Sequence, residues 1–258
     1  MNIANNILDI DDKDLAFSNV NMENYTIYRC DPFTKNHDGL HVLFIGDSVT
    51  AGEGVDPKDH WSNRVYKRIS KTIKCSGFFN IAVPGSSITD SIDQFYKYVE
   101  LYGNPDVVFF LMTQASRDLK YIQNQGVVTQ FNSTFTVHYM KRFYKYFEQY
   151  CLSNNIILNS FTWDISMKNK RIAIEDKVQK VARGVFFTRN EFLECTDIFS
   201  VFKTFNPYTV EQLMKHLYAS KLELQAKDGV HPGPAFHDFY TDFIYNKYLE
   251  DINDNSRN

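Results

Sequence analysis

Four short apolar runs, each separated from the next by a helical pattern, constrain the fold of this chain most. They are "LHVLFIG" from Leu40 to Gly46, "GFFNIAVPG", "PDVVFFLMT" and "NIILNSFTW". Runs of this length, apolar and closed by small or polar residues, read as buried strands. Between the first two, "PKDHWSNRVYKRISKTI" starts at Pro57 and spaces Trp61, Val65, Ile69 and Ile73 four apart. That is one apolar stripe on a helix with proline at its start. "SSITDSIDQFYKYVELYG" has Ser and Thr near its start and Gly103 past its end, again a helix. "FTVHYMKRFYKYFEQYCLSN" and "PAFHDFYTDFIYNKYLEDI" read as two longer helices. Strands alternating with helices give βαβ units, hence an α/β fold with a mainly parallel sheet covered on both faces. Ligands of such sheets sit beyond the carboxyl ends of the strands. The places to search are therefore "GDSVT", "VPGSS", "MTQASRD" and "TWD".

Around this unit, residues 40–250, the chain is less regular. Residues 1–39 are rich in Asn and Asp, show no strong period, and read as a mostly irregular N-terminal extension. Residues 164–226 form an insert with charged segments, the aromatic cluster "VFKTFNPY" and an expected two or three short helices. Residues 251–258 are a polar tail. The chain holds 258 residues with 43% hydrophobic content, enough for a packed core. Its formal charge of −3 argues against nucleic acid or an anionic membrane as partner. The 22 Phe and 16 Tyr suit a thick core first and a sugar-contacting surface second. Cys30, Cys75, Cys151 and Cys195 form no CxxC pair, so neither a zinc site nor a disulfide framework is expected. Buried thiols in a reducing compartment are the simpler reading. The acidic start lacks the pattern of a signal peptide and no apolar run reaches membrane-span length, so the default expectation is a cytoplasmic protein.

Ser48 lies just past the first strand, where Gly46 permits a sharp turn and a following helix would aim free N–H groups at the same spot. A hydroxyl there is suited to nucleophilic attack when a base lies nearby, although a plain polar turn reads the same way. "KDGVHPGPAF" offers the base. Asp228 and His231, three apart among glycines and prolines, can share one turn, so the carboxylate can take the Nδ1 proton and leave Nε2 free. A loop that merely starts the last helix is the alternative. The remaining histidines carry weaker signals. His60 and His237 fall on helices beside acidic residues and read as solvated. His138 and His216 read as helix positions without special context, and His41 as a surface residue before a strand. Gly85 can offer an unobstructed N–H to an oxyanion or simply serve a turn. Gln114 can offer an amide and Arg117 a charged donor, unless Arg117 pairs with Asp118 in the loop.

Taken together, "FIGDSVTAGEG", "NIAVPGSS" and "DGVHPG" resemble, in order, the first, second and last sequence blocks of the SGNH (GDSL-type) hydrolases, across residues from His41 to about Leu249. The resemblance implies a flavodoxin-like three-layer α/β/α sandwich and hydrolysis of esters, thioesters or O-acetyl groups. It implies Ser48 as nucleophile and first oxyanion donor, Gly85 as second donor, Asp228 as orienter and His231 as base. No metal or organic cofactor is implied. The family's third block usually reads Gly-x-Asn-Asp, with the Asn amide as third donor. Here "MTQA" stands in its place, with Gln114, one methylene longer, at the Asn position. Either Gln114 or Arg117 takes the role, or the donor is missing, which would typically cost about 10²–10³ in rate. The expected substrate is a small-molecule or carbohydrate ester, with acetyl on a sugar as the first guess. The alternative is a catalytically retired binding or structural module. The Asn-, Lys-, Tyr- and Phe-rich composition is also similar to virus-encoded members, which leaves a virion component open. A phosphate-binding loop is disfavoured, because "GDSVTAGEG" lacks both G-x-G-x-x-G and a Gly-Lys-Ser/Thr ending.

Overall fold

The computed structural model describes residues 18–22, 25–29, 39–113, 133–164, 185–188, 215–229 and 231–255. The strands are β1 (Ser18–Met22), β2 (Tyr25–Arg29), β3 (Leu40–Gly46), β4 (Cys75–Asn80), β5 (Val107–Met112), β6 (Ile157–Asp164) and β7 (Val185–Thr188). The helices are α1 (Ser48–Ala51), α2 (Trp61–Ile69), α3 (Ile88–Tyr102), α4 (Ser133–Ser153) and α5 (Pro234–Asn255). All seven strands form one sheet in the order β1-β2-β4-β3-β5-β6-β7. The inner four, β4, β3, β5 and β6, are parallel, while β1, β2 and β7 run antiparallel to their neighbours.

The central strand β5 is apolar throughout because helices cover both faces. All six residues of β5 are buried. Alternate side chains leave to opposite faces. Val42 and Phe44 of β3 join Val107, Phe109 and Leu111 of β5 under α2 and α5. Leu43 and Ile45 join Val108, Phe110 and Met112 under α3 and α4. The result is the expected three-layer α/β/α arrangement. The chain passes from β3 to β4 on one side and returns to β5 on the other, so the end of β3 stands at the switch point of the sheet. Sheets of this order carry their ligand crevice there.

The structure departs from the sequence reading in three places. The lead-in before Gly39 supplies β1 and β2, an antiparallel pair attached to β4 through Arg29 opposite Phe79. Val20 and Met22 do alternate with Asn19 and Asn21, but five residues of alternation are easily lost in an Asn-rich segment. The helix expected from Pro57 is split. Pro57–Asp59 form one 3-10 turn, His60 is extended at φ −72° and ψ 133°, and α2 starts at Trp61. His41 lies inside β3 rather than before it. Of the insert, β7 pairs with the end of β6 and 215–219 is helical. No helix among the described residues is long and apolar enough to cross a membrane.

Candidate active site

Beyond β3 the chain turns at Gly46, where φ is +153°. A Cβ here would collide with the Thr50 side chain and lie 2.7 Å from the Leu111 carbonyl oxygen, so only glycine fits. Asp47 follows, fully buried, and acts twice. Its Oδ1 caps α1 by accepting from the Val49 N–H at 3.1 Å, and its Oδ2 accepts from Thr113 Oγ1 at 3.0 Å. The first contact starts the helix. The second ties the end of β3 to the end of β5. Ser48 is thereby set as the first residue of α1, 5% exposed. Gly52, left-handed at φ +81°, ends α1 by donating to the Ser48 carbonyl.

Beneath this turn lies a polar chain that the sequence reading missed. Asn80 donates to the Thr50 carbonyl and to Ser62 Oγ. Ser62 Oγ lies 2.7 Å from His60 Nδ1, and His60 Nε2 lies 3.2 Å from the Val49 carbonyl. A carbonyl can only accept, so Nε2 carries the ring proton and Nδ1 accepts from the Ser62 hydroxyl. Asn80 donates in both directions, and both ends of the chain fall on the backbone of α1. His237 packs beside His60 with ring centroids 5.1 Å apart. Its Nδ1 accepts from the Trp61 N–H at 3.3 Å, and its ring also bonds the Pro232 carbonyl, next to His231. Both histidines are buried rather than solvated, which corrects the reading from their acidic neighbours. Burial pushes His60 down to about 3, partly opposed by its bond to Val49. Burial above all, then its electrostatic interactions with His60, Arg64 and His231, holds His237 well below its ordinary value. The helical spacing of His237, Thr241, Ile244 and Tyr248, all buried, is the signal that places His237 in the core.

Gly85 sits at φ +81° in a turn closed by the Ser86 N–H donating to the Val83 carbonyl at 3.1 Å. The turn hangs from the end of β3, since Val83 N and Ser86 Oγ both donate to the Gly46 carbonyl. A Cβ at Gly85 would meet nothing within 4 Å, so the backbone angle rather than space calls for glycine. Gln114 and Arg117 lie outside the described residues. Their neighbour Thr113 is the buried hydroxyl that holds Asp47.

His231 and Asp228 come together as their spacing predicts. Asp228 Oδ2 lies 2.6 Å from His231 Nδ1, and Asp228 Oδ1 accepts from the His231 N–H at 3.0 Å. The loop is braced by the Ala226 N–H donating to the His231 carbonyl and by the Gly233 N–H donating to that of Leu224. It packs directly on the turn after Ser48. The Lys227 N–H donates to the Gly54 carbonyl at 2.9 Å, and Lys227 Nζ pairs with Asp56 at 2.6 Å. Gly54 has φ +72°, and a Cβ there would lie 2.7 Å from the Asp228 carboxylate. The second glycine of "VTAGEGV", Gly54, thus shapes the seat of the downstream loop.

One expected contact is replaced by another. Nε2 of His231 lies 3.1 Å from Glu53 Oε2, and no hydrogen bond joins Ser48 to His231. Glu53 was not among the residues the sequence reading singled out. Its own N–H donates to the Ser48 carbonyl at 3.1 Å, so it rides on the turn that carries Ser48. Elsewhere, His216, Asp238 and Asp242 bring ligand atoms close enough for a metal among the described residues. Arg64 and Arg68 already engage the two carboxylates, at 2.5 and 2.6 Å. Among the described cysteines, Cys75 and Cys151 form no disulfide.

The family model for GDSL-like lipase/acylhydrolase matches residues 42–244, most of the chain. No curated protein matches. Among solved structures, the psychrotrophic esterase EstA from Pseudoalteromonas sp. is similar at 12% identity, over 83% of this chain and 98% of that one, with a TM-score of 0.48. The acetyl xylan esterase AlAXEase is similar at 16% identity, over 81% and 99%, with a TM-score of 0.45. A lipase/acylhydrolase from Enterococcus faecalis is similar at 15% identity, over 81% and 94%, with a TM-score of 0.42.

Proposed function

Because the chain belongs to the GDSL-like lipase/acylhydrolase family, we propose that it hydrolyses an O-acyl ester through Ser48, His231 and Asp228. The observation that carries this reading is the Asp228–His231 pair, bonded at 2.6 Å and seated on the turn that presents Ser48 at the switch point of the sheet. In the reaction Ser48 Oγ attacks the ester carbonyl while Nε2 of His231 takes its proton. Asp228 holds the ring by Nδ1 and stabilises the imidazolium. The Ser48 and Gly85 N–H groups, with the Gln114 amide, take the negative charge on the carbonyl oxygen. His231 then protonates the departing alcohol. Water, deprotonated by the same ring, splits the acyl-serine and releases the acid. Each half-reaction returns the proton it borrows, so no further reactant is needed.

The ring of His231 faces Asp228 and Glu53, with Lys227 and Asp56 beside them. Such a polar rim favours an alcohol rich in hydroxyls, and acetyl on a sugar is the first substrate to test. The test is labelling with a fluorophosphonate, run beside hydrolysis of acetylated xylose. A mass shift on Ser48 in the wild type, absent in Ser48→Ala and strongly slowed in His231→Ala, is expected. Folded protein that takes no label would instead support a retired module, the reading that the Glu53 contact on Nε2 favours.

A further inference from the structure

Nε2 of His231 is the atom that must face the nucleophile, yet it lies 3.1 Å from Glu53 Oε2. Both candidate partners, Ser48 and Glu53, belong to one turn. Glu53 is locked to it by its N–H on the Ser48 carbonyl, between left-handed Gly52 and Gly54. On the other side of the ring, Asp228 Oδ2 accepts from Nδ1 at 2.6 Å, so Nδ1 carries a proton. A neutral imidazole has only that one N–H, and its Nε2 then presents a lone pair. A lone pair and a carboxylate oxygen repel at such a distance. The contact therefore contains a second proton, on the ring or on the carboxylate. General-base catalysis needs Nε2 without that proton.

We propose that Glu53 is a positioning residue that competes with Ser48 for Nε2 of His231 and holds the ring in a resting, proton-bearing arrangement. This rests on the reading of Ser48 and His231 given above. Each turnover must open the contact and release one proton before Ser48 can be activated. Substrate entering against the ring displaces the Glu53 carboxylate, and the ring swings to Ser48. The other charges around the ring do not supply the second proton's partner. Asp228 already holds Nδ1, Lys227 is paired with Asp56, and Arg64 with Asp59 and Asp238. His237 and His60, on the α5 and α2 sides, are buried and kept neutral.

The experiment measures the rate of Ser48 labelling by a fluorophosphonate against pH in wild type, Glu53→Gln and Glu53→Asp. In parallel, the His231 ring is titrated by NMR in Ser48→Ala with and without Glu53→Gln. The glutamate and histidine side chains are 25% and 20% exposed, so the contact is worth what a partly solvated ion pair is worth. Removing the carboxylate is expected to raise labelling about two- to fivefold on the acid limb and leave the alkaline plateau within about twofold. Aspartate, one methylene short of Nε2, should behave like glutamine. The His231 ring signals should move in the Glu53→Gln background, because Nε2 loses its carboxylate partner. Superimposable pH profiles with unmoved ring signals overturn the proposal, as does slower labelling at every pH. A wild type that takes no label defeats the hydrolase reading instead, and the NMR arm still decides the contact.

Discussion

The buried polar chain under α1 makes a quantitative prediction about acid. His60 is fully buried and pushed from its ordinary 6.5 down to about 3. The folded protein therefore keeps this ring neutral across a range in which the unfolded chain protonates it. For a depressed value the stabilisation is complete above the unfolded value of 6.5 and is lost as pH falls toward the folded value of about 3. Each pH unit inside that window removes about 1.4 kcal/mol. Moving from about pH 7 to about pH 5 should thus take about 2 kcal/mol from His60 alone, against a typical total of about 5–15 kcal/mol. His237, depressed for the same reason, adds in the same direction. The perturbation is His60→Gln, which keeps an amide donor near the Val49 carbonyl and cannot titrate. The assay is urea unfolding of both proteins at the two pH values. The variant should be less stable at neutral pH but should lose about 2 kcal/mol less than wild type on acidification. Equal acid losses, within about 0.5 kcal/mol, would refute the argument that burial keeps His60 neutral.

Two further outcomes test the site. Gly54→Ala places a methyl 2.7 Å from the Asp228 carboxylate at a left-handed backbone position. It should cost about 1–2 kcal/mol in stability by chemical denaturation. It should also lower kcat/KM at least tenfold, with little extra loss when combined with Asp228→Asn, because both act through the same carboxylate. Gln114→Ala should lower kcat about 10²–10³-fold with KM little changed, as expected for a donor to the oxyanion. A change below about tenfold would remove Gln114 from that role.

Much of the architecture follows from local pattern. The four apolar runs carry β3, β4, β5 and β6, because strands covered on both faces are largely apolar. Asp228 and His231 met because three residues in a tight loop leave them little alternative. Local pattern failed where a polar residue is buried by something distant in sequence. His60 and His237 stand 177 positions apart in number yet share one ring contact, and nothing beside either residue announces it. Asn80 lay inside the run "GFFNIAVPG", and its role depends on Thr50 and Ser62 passing over it. Gly54 read as one more glycine in a turn until Asp228 filled the space where its side chain would be.

The order of elements, the parallel sheet and the identity of the candidate nucleophile and base are carried by the amino-acid sequence. Periodicity specifies the elements, and the resemblance of three short blocks to the family singles out the candidate residues. The partner of His231 Nε2 is not of that kind. Ser48 and Glu53 lie on one short turn, and it is Glu53 that the ring from residue 231 meets. Which one the ring meets depends on how the loop from Ala226 to Gly233 docks on Gly54, and on where the second proton resides. Only the packed chain brings those groups within bonding distance, because they come from segments far apart in sequence.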